Sequence, residues 1–530
     1  MLESQQRLAR SAGVFGLATI ASRILGLVRD QVLAFYFGAG DAMDAFRVAF
    51  RVPNLVRDLF AEGAMSAAFV PTFTRLLTLH GRDRAWRLAS SAINALLVVT
   101  AVVVLIALLL VEPLVRLFAA EFAAVPGKIE LTVHLARIVL PFLTLVAVAA
   151  ALMGMANSLG HFFVPALSPA MFNLSSIVVA VAFIPFAATL GVEPITIVAI
   201  GTIVGGIAQV AIQWPPLRQE GFRYQAVLDV RDEGLRHVLL LMGPGTIGMA
   251  ATQINVFVNT MLATREGTGA VSWLDFAFRL MYLPIGLFGV SIATAAMPAV
   301  SRLAAEADFT RIRSTIAHAI GLMLLLSLPA TLGLMVLAHP IVSVVFERGR
   351  FTAADTAATA AALQFYAVGL VGYSIVRIVS PTFYALRRSR LPVYASVGSV
   401  IANVILNVWL AGVLGFRGLA LGTSLTALLN AATQLWMLRR EIQGIEGRRL
   451  LRSLVRVAAA SVPMAVAAWV TVEGLTQWWP SPAFSAQLAR LTLAIGVGLL
   501  TLAVSAHVLR VPEFGEARGF VWSRVKRMAG

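Results

Sequence analysis

DAFRVAFRVPNLVRDLFAEGAMSAAFVPTF (44–73) sets Asp44, Arg47, Arg51, Arg57, Asp58 and Glu62 in a stretch otherwise apolar and long enough to cross a bilayer. A charge at the centre of a span costs at least about 2.5–3.5 kcal/mol on insertion scales, so each of these must face a partner or a wet cavity. The pattern spreads outward from there. Arg23 and Arg29 lie in the apolar stretch before it, and Arg279 lies in a later one. Several positive charges with fewer negative ones nearby imply a cavity built for an anion. That reading favours a transporter of something acidic over a soluble enzyme.

Helical geometry sharpens the picture. At roughly 100° per residue with Arg51 as zero, Asp44 falls near 20°, Arg47 near 320°, Asp58 near 340° and Glu62 near 20°. The five charges share a face about 60° wide, with Arg57 at about 240°. Val48, Leu55 and Leu59 border that face at about 60°, 40° and 80°, and Pro53 bends the helix between them. Two readings stay open. In one, the charges form a ladder of ion pairs: Asp44 to Arg47 or Arg51, and Asp58 or Glu62 to an arginine of the first span. In the other, Arg23, Arg29 and Arg51 line the anion cavity. Asp275 stands one turn before Arg279 and could neutralise it. Alternatively Arg279 clamps a phosphate from the second half, a role suited to the planar guanidinium fork. Arg137 and Arg377 also fall in spans, with no partner visible in the sequence. The amides Gln253, Asn255, Asn259, Asn403 and Asn407 read either as hydrogen bonds between helices or as a cation site.

Composition agrees with a membrane protein. Of 530 residues, 59% are hydrophobic and 13% charged, with a mean hydropathy of +0.85; soluble domains run near about 45–50% and about 25%. There is no cysteine, which rules out disulfides, thiolate metal sites and cysteine nucleophiles. The seven histidines are scattered without metal-ligand spacing, so no metal site is expected. No phosphate-cradling glycine loop is present, so transport must draw on a gradient or on another protein, with Na+ or H+ as candidate coupling cations. The first apolar segment reads as a retained helix rather than a cleaved signal. The net charge of +16 follows from basic loops on one side of the membrane, not from nucleic-acid binding.

Apolar runs of about 20 residues mark spans. Fourteen are expected, near 11–36, 43–76, 86–112, 129–157, 163–188, 193–215, 236–263, 270–299, 314–338, 356–385, 391–414, 417–438, 450–474 and 485–509. Alternate loops are rich in arginine, which puts both termini in the cytoplasm. Lys128 falls among the sparse outside charges. The chain also repeats. Pro71 recurs as Pro298, Pro113 as Pro340 and Pro165 as Pro392, all three pairs at one and the same spacing, and Arg75 matches Arg302 at that spacing too. The expectation is an all-α polytopic protein: two six-helix lobes related by a parallel repeat around a cationic central cavity, plus two C-terminal helices. A repeat of this kind places the substrate between the halves. The lobes are expected at 1–215 and 236–445, joined by a cytoplasmic linker at 216–235, with the extra helices at 446–510 and a tail at 511–530.

SRILGLVRD (22–30), the stretch 44–73 and WLDFAFRLMYLPIGLFGV (273–290) closely resemble the MurJ/MviN family. The resemblance is continuous from the first to about the twelfth helix. It implies a lipid II flippase of the superfamily that also holds multidrug and oligosaccharide exporters. The implied substrate is the undecaprenyl-diphosphate-linked muropeptide, moved from the cytoplasmic to the periplasmic leaflet of the bacterial inner membrane. The chain is expected to act as a monomer and to serve other cell-wall synthesis proteins. The family's functional arginines match Arg23, Arg29, Arg57 and Arg279, and its acidic positions match Asp30, Asp44 and Glu62. Arg51 stands where the family often has lysine, Asp58 where some members have a second arginine. Phe278 and Tyr282 occupy positions that are acidic in some members. The last two helices are implied to form a groove for the lipid tail. The runner-up function is an ion-coupled exporter of another polyprenyl-linked glycan or of drugs.

Overall fold

The computed structural model describes residues 2–57, 65–286, 290–516 and 519, and among these there is helix and no strand. The chain forms two compact units, Met1–Ser272 and Trp273–Gly530. The first holds α1 (Leu2–Phe37), α2 (Asp41–Arg57), α3 (Met65–Leu109), α4 (Val111–Phe118), α5 (Lys128–Val139), α6 (Phe142–Ser158), α7 (Phe163–Phe183), α8 (Pro194–Gln219) and α9 (Glu233–Thr264). The next helix, α10 (Ala270–Pro284), starts at the end of this unit. The second continues with α11 (Val290–Ala305), α12 (Phe309–Val336), α13 (Ala338–Phe346), α14 (Ala353–Ala367) and α15 (Leu370–Ala385). It ends with α16 (Arg390–Leu414), α17 (Phe416–Glu441), α18 (Gly447–Trp478) and α19 (Phe484–Val508).

Among the described residues, eight helices are long and apolar enough to cross a membrane, or nine if the bent pair α14–α15 counts as one span. The other five expected spans fall on α1, on α2 with the start of α3, on α9, on α10 with α11, and on α17. Two of these pass through the undescribed stretches 58–64 and 287–289. α2 alone carries Asp41, Asp44, Arg47, Arg51 and Arg57, so a composition test does not pick it out.

The repeat seen in the prolines extends to the helix boundaries. α3 is kinked at Gly81, which takes φ 80°. The spacing of the proline pairs carries the part beyond the kink, 82–109, onto α12, and a left-handed residue, Ala307 with φ 52°, stands next to Asp308, the position matching Gly81. α4 and α6 recur at the same spacing as α13 and α15.

The cores repeat as well. In the first unit Phe73, Ala85, Ala92, Ile93, Leu96, Ala151, Leu152 and Ala156 are buried together. In the second, Val300, Ile312, Ala319, Ile320, Met323, Ile378, Val379 and Phe383 form the corresponding cluster. Sizes are exchanged within it: Phe73 becomes Val300, while Ala85, Ala151 and Ala156 become Ile312, Ile378 and Phe383. Cores tolerate such exchanges when total volume is kept. α18 and α19 add their own apolar seam, with Ala468, Val472, Leu491 and Ala494 against Leu337 and Val344.

The segment between α8 and α9 is strapped along α3. Asn94 Nδ2 donates to the carbonyls of Gln225 and Val227, both at 2.9 Å, and Arg84 pairs with Asp232 at 2.6 Å. At the start of the strap, Glu220 accepts from Arg82 at 3.0 Å and meets His161 Nε2 at 2.8 Å. The His161 hydrogen bond, with the Arg82 charge, holds the Glu220 carboxyl below its ordinary 4.5.

This packing is open to test at two places. A Cβ on Gly372 of α15 would lie 2.6 Å from the Ala427 backbone of α17, whereas one on Gly412 meets nothing. Gly372→Ala should cost about 1–3 kcal/mol and lower the melting temperature, with Gly412→Ala as the unaffected control. Glu220 has a lowered pKa, so its contribution is full above the ordinary 4.5 and is lost as pH falls through the depressed value. Melting temperature against pH should show this acid loss in the wild type and not in Glu220→Gln.

Candidate functional site

The charges sit where α1 and α2 come together in the first unit. Asp30 is fully buried. Its Oδ1 lies 3.1 Å from Arg29 Nη2 and 3.8 Å from Arg47 Nη2. One carboxylate thus faces two guanidiniums that carry five N–H donors each. Arg23, Arg51 and Arg57 are partly buried on the same two helices. α1 is fixed by Asn173 of α7, whose Nδ2 donates to the Ser22 carbonyl at 3.1 Å. Below the arginines lies an aromatic floor. The Arg29 guanidinium is 5.5 Å from the Phe172 ring centre, and Phe172 stacks on Phe50 at 6.5 Å, which stacks on Phe46 at 5.8 Å. A cavity of about 20 Å³ remains among Arg29, Arg47 and these rings, room for about one water.

Asp44 is spent elsewhere. Among the described residues it bonds to Lys128, Gly269 and Ser272 rather than to Arg47 or Arg51, although the wheel puts Asp44 and both arginines on one face. Its Oδ2 accepts from Gly269 N at 2.7 Å and lies 3.3 Å from Lys128 Nζ. Its Oδ1 accepts from Ser272 N at 3.1 Å and Ser272 Oγ at 2.7 Å. A carboxylate of α2 therefore caps the first turn of α10, the arrangement a helix N-terminus favours. Lys128 completes the knot by pairing with Asp41 at 2.6 Å while its Nζ sits 4.0 Å from the centre of the Phe122 ring. Thr268 Oγ1 donates to Asp41 at 2.7 Å.

Lys128, which the sequence puts among the outside charges, is almost fully buried at the first position of α5. One signal was present in the sequence: a lysine at a helix N-terminus opposes the macrodipole and so needs a strong partner. Asp41, Thr268 and Ser272 carried no such signal. Asp58 and Glu62 lie outside the described residues.

In the second unit, Asp275 and Arg279 are partly buried on α10. Trp273 Nε1 donates to Asp355 Oδ1 at 2.9 Å, and Arg377 of α15 hydrogen-bonds Tyr282. Phe278 and Tyr282 stack at 5.8 Å. Phe278 and Tyr282 thus form an aromatic pair, one of them bonded to a guanidinium. Asn403 and Asn407 are buried on α16 and bond in series, Asn407 to Asn403 at 3.0 Å and Asn403 to Thr426 of α17 at 3.3 Å. Gln253, Asn255 and Asn259 lie on α9 in the first unit, so the two amide sets belong to different units. Among the described residues no group of three or more His, Cys, Asp or Glu side chains is placed to hold a metal.

The family model described as Lipid II flippase MurJ matches residues 33–488. The chain belongs to the MurJ family. A probable lipid II flippase MurJ of Vibrio cholerae serotype O1 is 34% identical over 508 residues, covering 93% of this chain and 94% of its own length. The lipid II flippase MurJ of Burkholderia cenocepacia is 31% identical over 464 residues, covering 87% and 88%. Among solved structures, a lipid II flippase MurJ in an inward closed conformation aligns with TM-score 0.75 and 26% identity, over 93% of this chain and 99% of that one. An inward-facing multidrug resistance MATE transporter aligns with TM-score 0.69 at 16% identity, over 82% and 99%, which shows a shared fold. The MurJ match includes α2, α5 and α10, so Asp44, Lys128 and Arg279 lie within the family's region, with Arg23, Arg29 and Asp30 just before it.

Lys128→Met should destabilise the protein by about 3–5 kcal/mol, because it leaves Asp44 buried without its cation. The double variant Lys128→Met/Asp44→Asn should recover much of that loss. Melting temperatures of the two variants test the pairing.

Proposed function

We propose that this MurJ-family membrane protein moves lipid II across the bilayer, with its diphosphate held on Arg23, Arg29, Arg51 and Arg57 of the first unit. The observation that carries this reading is the gathering of partly buried arginines on α1 and α2 around Asp30. Guanidiniums bind phosphate oxygens in pairs and keep their charge at any cellular pH. Arg47 and Asp30 hold this set in place, so a phosphate arriving there competes with Asp30 for Arg29. Arg279 supplies a cation from the second unit during translocation, with Asp275 beside it in the sequence.

The protein lies in the bacterial inner membrane with both termini in the cytoplasm, an orientation that the arginine-rich alternate loops support. The prenyl tail stays in lipid, along α18 and α19, and only the polar head crosses. An inside-negative potential favours outward movement of the anionic head, at about 2.3 kcal/mol per charge per 100 mV. Transport proceeds by alternating access. The amides of α16 serve as hydrogen bonds between helices, and a coupling Na+ or H+ binds elsewhere. The arginine excess disfavours a drug exporter, whose cationic cargo would need a carboxylate-led site.

The test is lipid II exposure on the outer face of cells depleted of their own flippase and expressing this chain. Exposure should be restored by the wild type, abolished by Arg29→Ala and Arg279→Ala, and largely kept by Arg51→Lys. Failure of the inserted wild type would turn attention to another polyprenyl-linked glycan. Full activity of Arg279→Ala would remove Arg279 from the mechanism.

A further inference from the structure

The internal repeat allows one end of each unit to be compared residue by residue. In the first unit, the turn between α6 and α7 carries Gly160, at φ 82°, followed by His161. His161 meets Glu220 at the end of α8, and Arg82 donates to both the carboxylate and the carbonyl of Glu220, at 3.0 and 2.8 Å. In the second unit, the turn between α15 and α16 carries Arg387 and Arg388 at the equivalent positions of the repeat. Arg388 pairs with Glu441, at the end of α17, at 2.9 Å. The ion pair is thus preserved in kind.

Two differences stand out. Where Arg82 closes the first cluster, the second unit has Phe309, which donates nothing. A cavity of about 560 Å³ is left there, lined by Ser301, Phe309, Arg387, Arg388 and Glu441 among others. At the position of Gly160 stands Arg387, held at φ 58°. A left-handed backbone suits glycine and strains an arginine, and such strain persists where function uses it. Arg387 is exposed, and among the described residues its guanidinium has no hydrogen-bond or ion-pair partner.

We propose that this pocket of the second unit binds a phosphate-bearing ligand, with Arg387 as its phosphate anchor. Glu441 is neutralised by Arg388, so Arg387 leaves the pocket net positive. The Ser301 hydroxyl adds a donor, and the Phe309 ring adds a flat apolar wall. The volume lies within the range of ligand sites, about 300–1,000 Å³, and far exceeds a lone phosphate. The phosphate is therefore esterified to a larger group. Two sources share this chemistry: a soluble phosphate ester such as a nucleotide, or the headgroup of an anionic phospholipid. Exposed Tyr384 and Tyr394 beside the turn suit a membrane interface. The pocket is separate from the transport site proposed above and does not depend on it.

The experiment uses the full chain purified in detergent. ADP is titrated in one arm, and phosphatidylglycerol adducts are counted by native mass spectrometry in the other. Two variants accompany the wild type: Arg387→Gly, which copies Gly160, and Arg387→Glu, which reverses the charge of the anchor. One probe should bind the wild type and bind both variants at least tenfold more weakly, and the arm that responds identifies the source. The melting temperature of Arg387→Gly should equal or exceed that of the wild type, since the strain is gone. Absence of binding in both arms, or binding undiminished in both variants, would overturn the proposal. A lower melting temperature for Arg387→Gly with unchanged affinity would mark Arg387 as structural and overturn it too.

Discussion

A carboxylate with no water around it must be matched by protons or positive charge, and two such carboxylates organise the first unit. Asp30 is matched by Arg29 and Arg47. Asp44 is matched by one ammonium and three donors from Gly269 and Ser272. Both lie on helices that hydrophobicity alone would not hold in place, because their faces carry too many charges. Removing either carboxylate would leave the buried cations that face it short of matching negative charge, which costs more than the pair itself contributes. The arginines are therefore kept inside the protein by the same acids that a phosphate would compete with.

Much of the architecture was legible in the chain. Three proline pairs at one spacing anticipated helix boundaries that coincide to the residue for 82–109 and α12. Hydropathy marked the apolar spans, and the charge pattern drew attention to α1 and α2. The pairing of those charges was not legible. A helical wheel reports angles about one axis, so it grouped Asp44 with Arg47 and Arg51, whereas a neighbouring helix and a loop far along the chain compete for the same carboxylate. The burial of Lys128 was not legible for a related reason: it follows a loop in sequence, and only the fold brings Asp41 and Asp44 of α2 to it. The α16 amides were ambiguous because a side-chain amide suits a helix contact and an ion equally until its partner, here Thr426, is seen.

The two units share a plan and differ in charge. The repeat spacing carries Arg23, Arg29, Asp30, Arg47 and Arg51 onto Ala250, Val256, Phe257, Leu274 and Phe278. One copy of the repeat became the cationic one, and the other kept apolar residues at the same places. Its charges arose at new positions instead, Arg279 on α10 and Arg377 on α15. A duplicated scaffold can thus present different chemistry in its two units while helices such as α4, α6 and the outer part of α3 keep their place in the repeat.

The exchanged core residues have a consequence for how such a duplication ages. When Ala156 answers to Phe383 and Phe73 to Val300, each change is absorbed by neighbours in its own half. Neither half needs to keep step with the other, so drift can erase their resemblance letter by letter while selection for packing keeps every helix in place. The common ancestry then survives in boundaries and prolines, where the backbone leaves no room for substitution, long after it has faded from the side chains between them.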